Sequence, residues 1–119
     1  MFERIMTEQA ALQDRMNWPT GKGVAGAKEN FLAMQVEVTE VLAELPWKPW
    51  KSYADVQRLE AVLNDPVARK RLATEMTDII QFWANAALAL GLTAEDLHVA
   101  LETKWGENHR RVEAGEAGR

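Results

Sequence analysis

The sequence predicts an all-α fold, a helical bundle of four main helices plus a short one. Between the strong breakers, apolar residues recur at every third and fourth position, the period of a helix with one buried side. No stretch shows the β-branched alternation of a half-buried strand. The breakers are few, Pro/Gly clusters and one Asn-Asp-Pro, and lie at helix-length intervals.

The first helix leads with Phe2, Ile5 and Met6 and runs to NWPTGKGVAG, Asn17 to Gly26, which reads as a Pro/Gly loop. The second carries Phe31, Met34, Val38, Val41, Leu42 and Leu45 in one stripe. It stops at LPWKPWKS, Leu45 to Ser52, where two prolines force a turn or an extended link. Val56, Leu59 and Leu63 suit a short third helix. Asn64-Asp65-Pro66 reads as a stop followed by an Asp N-cap with Pro at the first helical position. The long helix that follows has Leu72, Met76, Ile79, Ile80, Trp83, Ala87 and Leu90 on one side, and Gly91 ends it. Thr93 restarts the chain with Glu95 and Asp96 in the first turn, where the helix dipole favours acids. Leu97, Leu101 and Trp105 carry the last helix, and the tail from Glu113, EAGEAGR, is expected to be disordered.

The 119 residues make a single domain, 1–119, with 47% apolar and 27% charged residues, enough for a core. A net charge of −4 argues against a nucleic-acid partner. Cysteine is absent, which excludes disulfides, thiolate metal sites and a cysteine nucleophile, and His98 and His109 alone cannot make a multi-histidine zinc site. No apolar run is long enough to span a membrane and MFERIMTEQ is too acidic for a signal peptide, so a soluble, cytoplasmic protein with no membrane partner is expected.

The acids carry the functional information. Glu37, Glu40 and Glu44 fall within roughly 60° of arc on the second helix, centred about 110° from its apolar stripe. They flank the core instead of opposing it. Glu75 and Asp78 repeat the spacing on the long helix, with Phe82 and Asn85 continuing along that face. A single E-x-x-E pair is ordinarily a solvated acidic face. Two such pairs on the two longest apolar helices, both beside the core, would place four carboxylates in one cleft. That all-oxygen set suits Mg²⁺ or Mn²⁺, which bind carboxylates together with waters and substrate phosphate. Such a site points to phosphoryl chemistry. Lys48 and Lys51 follow the acidic helix, and Lys104, Asn108 and Arg111 share one face of the last helix, so both groups are candidates to hold phosphate. Gly21-Lys22-Gly23 is only a loop fragment, and a P-loop is excluded. Trp83 and Trp105 belong to helical stripes and are expected in the core. Trp18, Trp47 and Trp50 lie in the loops, where packing at a dimer interface is favoured over stacking on a base.

The segments VEVTEVLAELPWKPWK (36–51) and ATEMTDIIQFWANAALALG (73–91) resemble the all-α nucleoside-triphosphate pyrophosphatases, the superfamily of MazG and the dimeric dUTPases. The W-K-x-W-K turn, Gln81-Phe82 and the K-x-x-x-N-x-x-R run are similar to the dimeric dUTPase branch. The resemblance implies that Glu37, Glu40, Glu75 and Asp78 bind two or three Mg²⁺ ions (Mn²⁺ as an alternative), with Glu40 helping to deprotonate the attacking water. Lys48, Lys51, Lys104 and Arg111 would grip phosphates, Asn85 and Asn108 would contact sugar or phosphate, and Gln9 and Gln13 would face the base. Position 13 is Gln where the dUTPase pattern favours Asn. The expectation is a Mg²⁺-dependent pyrophosphohydrolase that converts a nucleoside triphosphate to the monophosphate and pyrophosphate, working as a homodimer or homotetramer. dUTP is favoured narrowly over a purine deoxynucleotide such as dGTP or an abnormal nucleotide. The alternative from another class is a non-catalytic helical assembly protein.

Overall fold

A computed structural model of the chain describes residues 1–16, 22–45 and 63–115. Among these there are four helices and no strand: α1 (Phe2–Met16), α2 (Gly23–Ala43), α3 (Pro66–Ala89) and α4 (Ala94–Glu113). The all-α prediction holds. α2 and α3 share the most extensive packing, while α1 lies against both α3 and α4. The short helix expected at Val56 and Leu59 lies outside the described residues, as do Trp18, Trp47, Trp50, Lys48, Lys51 and positions 116–119. Of the expected disordered tail, Glu113 is the last residue of α4.

Local chemistry sets the helix ends. The Asp65 carboxylate accepts from Val67 N at 3.1 Å with Pro66 next in line, so two of the first turn's needs are met by sequence alone. α3 closes on Gly91 at φ +74, where Leu92 N donates to Ala87 O and Gly91 N to Leu88 O, both at 3.0 Å. That is a Schellman ending, which needs a left-handed residue that glycine supplies at no steric cost. Thr93 then opens α4 with a capping box. Its hydroxyl accepts from Asp96 N at 3.1 Å, and Asp96 Oδ2 accepts from Thr93 N at 2.9 Å.

The start of α2 departs from the expected loop. Helix begins at Gly23, and Gly26 and Ala27 are buried within it. Asn30 is buried too and donates to the Gly26 carbonyl at 2.8 Å. Small residues here serve burial, and burial outweighs the low helix propensity of glycine.

The core sits where α1, α3 and the first turns of α4 meet. Met6, Ala84 and Ala87 are its buried centre, with Ile5, Trp83, Leu88, Ala94 and Leu97 packed around them. Phe2 and Trp83 pack in a tilted arrangement at a ring separation of 5.7 Å. The buried residues of α3 are four alanines around its last turns (Ala84, Ala86, Ala87, Ala89), whereas Met76, Ile80 and Leu90 from the expected stripe are exposed. Alanine lets helix backbones approach closely, and the larger side chains are left on the flanks. Trp105, expected in the core, is 51% exposed. No helix among the described residues is long and apolar enough to cross a membrane.

Candidate functional site

The pairing of α2 with α3 brings the two acid pairs together. Glu37, Glu75 and Asp78 are half-buried along this seam and Glu40 is exposed at its edge. The Glu37 carboxyl is held above the usual glutamate range, first by desolvation, then by a hydrogen bond with Glu40, then by the charges of Glu40, Asp78 and Glu75. The other three expected acids therefore all act on Glu37. Glu44 joins them. It raises the Glu75 carboxyl by charge and by hydrogen bonding, after desolvation and against the lowering effect of Arg71. Arg71 Nε lies 3.5 Å from Glu44 Oε1.

One atom of this cluster lacks a partner. Among the described residues, Glu75 Oε2 is occluded from solvent and accepts no hydrogen bond from any donor nitrogen or hydroxyl. Its neighbour is another carboxyl, so it is satisfied only when a proton is shared or a cation arrives. The donor chemistry suits a hard divalent cation. No three His, Cys, Asp or Glu side chains among the described residues stand close enough together to hold a metal ion as they are. Mutual repulsion of ionised carboxylates opposes that approach until a cation offsets it.

The other expected residues divide. Gln9 on α1 is buried, and its Nε2 donates to Asn85 Oδ1 at 2.9 Å. This bond ties α1 to the face of α3 that carries Asp78, about two helical turns further along. Gln13 is half-buried one turn after Gln9. Beside the bond runs an open groove of about 370 Å³ between α1 and α3, lined in part by Arg4, Ile5, Gln9, Ile80 and Gln81. Lys104, Asn108 and Arg111 are exposed on α4, which packs chiefly against α1. Lys104 Nζ lies 3.5 Å from Glu107 of its own helix. Within one chain these three are not gathered with the acids. Lys48 and Lys51 lie outside the described residues. The sequence reading grouped Glu44 with the acids but gave it no role, and it missed Arg71. The signal for Arg71 was its position four residues before Glu75, on the same face of α3.

Comparison with known proteins identifies the family. Residues 1–96 match the family described as dUTPase, the all-α dimeric dUTPase family. The chain belongs to that family. The matched span holds all four acids, Glu44, Arg71, Gln9, Gln13 and Asn85, and ends before Lys104, Asn108 and Arg111. A dCTP pyrophosphatase of Enterobacteria phage LZ5 is 31% identical over 74 residues, 61% of this chain and 43% of that protein. The match thus spans less than half the length of that relative. No solved structure matches the chain. Both family and relative lie within the nucleoside-triphosphate pyrophosphatase superfamily.

Proposed function

We propose that this member of the dUTPase family is a divalent-cation-dependent pyrophosphohydrolase acting on a pyrimidine deoxynucleoside triphosphate. The observation that carries the reading is the meeting of E-x-x-E on α2 with E-x-x-D on α3, with Glu75 Oε2 occluded and unpartnered among them. Glu37, Glu40, Glu75 and Asp78 would hold two or three Mg²⁺ ions, or Mn²⁺ in their place. Such ions supply positive charge against the triphosphate and acidify a water. Glu40 is the exposed member of the set and would accept the proton of the attacking water. Water oxygen bonds to the α-phosphorus, the bond from that phosphorus to the bridging oxygen breaks, and pyrophosphate leaves.

The Gln9–Asn85 pair would meet the base or sugar. It lies on the Asp78 face about two turns, or roughly 10 Å, from that acid, which is about the reach of a deoxynucleotide from base edge to phosphate. Gln13 would extend the same contact. Lys48, Lys51, Lys104, Asn108 and Arg111 would hold phosphates. dUTP is favoured because the family is that of the dUTPases, and dCTP is the second reading because the phage relative carries that name. The test is pyrophosphate release from a panel of ribo- and deoxynucleoside triphosphates with and without Mg²⁺, using Asp78→Asn as control. Metal-dependent release from dUTP or dCTP, abolished in the variant, is the expected result. A chain inert toward the whole panel would leave the acids as a solvated face and favour a helical assembly protein.

A further inference from the structure

Among the described residues, Arg71 is the one cation that an ion pair places at the acid cluster. Its Nε reaches Glu44 at 3.5 Å, and its positive charge also acts on Glu75. Glu44 in turn faces Glu75, the residue whose occluded oxygen has no donor. Arg71 is four residues before Glu75 and seven before Asp78, so the three side chains leave α3 within roughly 60° of arc. The guanidinium thus stands at the mouth of the site, on the side of Glu44. Its side chain is 64% exposed, so the pair is held weakly and is easily exchanged.

We propose that Arg71 is the cluster's built-in counter-cation, a positioning residue that offsets Glu44 and Glu75 in the metal-free protein and is displaced when a divalent cation enters. The proposal rests on the reading of Glu37, Glu40, Glu75 and Asp78 as a cation site. It makes Arg71 and metal competitors for one set of charges, so Arg71 sets the metal affinity. The displaced guanidinium, exposed and planar, then faces the incoming phosphates, where its fork can hold two oxygens at once.

The experiment is a calorimetric titration of nucleotide-free protein with Mn²⁺ at constant ionic strength, on wild type, Arg71→Gln and Arg71→Lys. A thermal melt of each checks folding, and Arg71→Ala is a second neutral variant. Both neutral variants should bind Mn²⁺ about three- to tenfold more tightly, as expected on removing one like charge a few ångströms away at a solvated surface. Arg71→Lys keeps the charge and should stay near wild type. In the same proteins KM for the best nucleotide should rise in the neutral variants despite the tighter metal. Equal or weaker Mn²⁺ binding in both neutral variants would overturn the proposal and reduce Arg71–Glu44 to a surface pair. A wild type that binds no Mn²⁺ would instead remove the cation site itself, a different failure with a different signature.

Discussion

Glu37 and Glu75 both titrate above the ordinary 4.5 of a glutamate, chiefly through desolvation and then through neighbouring acids. A carboxyl raised in the folded state binds its proton more tightly there than in the unfolded chain. Its contribution to stability is therefore fully present below the ordinary value and is lost as pH rises through the raised one. In chelator, Glu75→Gln should be at least as stable as wild type at pH 7, and the difference should vanish below pH 4.5, where wild type keeps the proton. The same variant should lose turnover. Denaturant titrations at two pH values check this, and equal pH profiles for the two proteins would place Glu75 apart from its neighbours. Gln9 offers a second test. Asn85→Ala leaves its buried amide without an acceptor and should cost about 1–3 kcal/mol in denaturant unfolding. The pair Gln9→Met with Asn85→Leu should recover much of that loss, since no polar group is then stranded. An Asn85→Ala variant as stable as wild type would mean the bond holds nothing together.

At the level of the helix, the ends are built from contacts two to five residues apart, and these were legible in the sequence. Asp65-Pro66, Gly91 and Thr93 each sit where their side-chain chemistry says a helix must start or stop. Asp96 is held below its ordinary 3.8 by the Thr93 backbone N–H first and the Thr93 hydroxyl second. Its contribution is present above that value and is lost as pH falls through the lowered one. Thr93→Ala should cost about 1 kcal/mol at neutral pH. Asp96→Asn should lose stability at neutral pH and converge on wild type in acid. Thermal melts across that range decide it. The four acids were equally legible, because a spacing of three or four on an apolar helix fixes a shared face whatever lies opposite. What the sequence hid depends on distant partners. Gln9 and Asn85 are 76 positions apart, and neither has a local pattern. Gly26 reads as loop because nothing near it announces that it will be covered. Periodicity weighted by large side chains took in Ala87 but passed over Ala84, Ala86 and Ala89, whose small size is what admits the neighbouring helices.

Among the described residues of the whole molecule, several large apolar side chains stand open to solvent. The α2 stripe splits, with Met34, Val41 and Leu45 half-buried while Val24, Phe31, Val38 and Leu42 stand 69%, 40%, 38% and 39% exposed within about 40° of one another. That open strip lies about 150° around the same helix from the acids, and on α4 Trp105 and Val112 stand 51% and 61% exposed. Contiguous apolar surface of this kind marks an interface. A second copy of the chain is its expected occupant, because a two-fold pairing covers the same strip on both partners. Sedimentation at micromolar concentration should show a dimer or a dimer of dimers. Phe31→Glu, which buries a charge in that strip, should shift the population to monomer and lower the melting temperature. A wild type that sediments as a stable monomer at that concentration would refute the pairing and leave the exposed strip without an occupant.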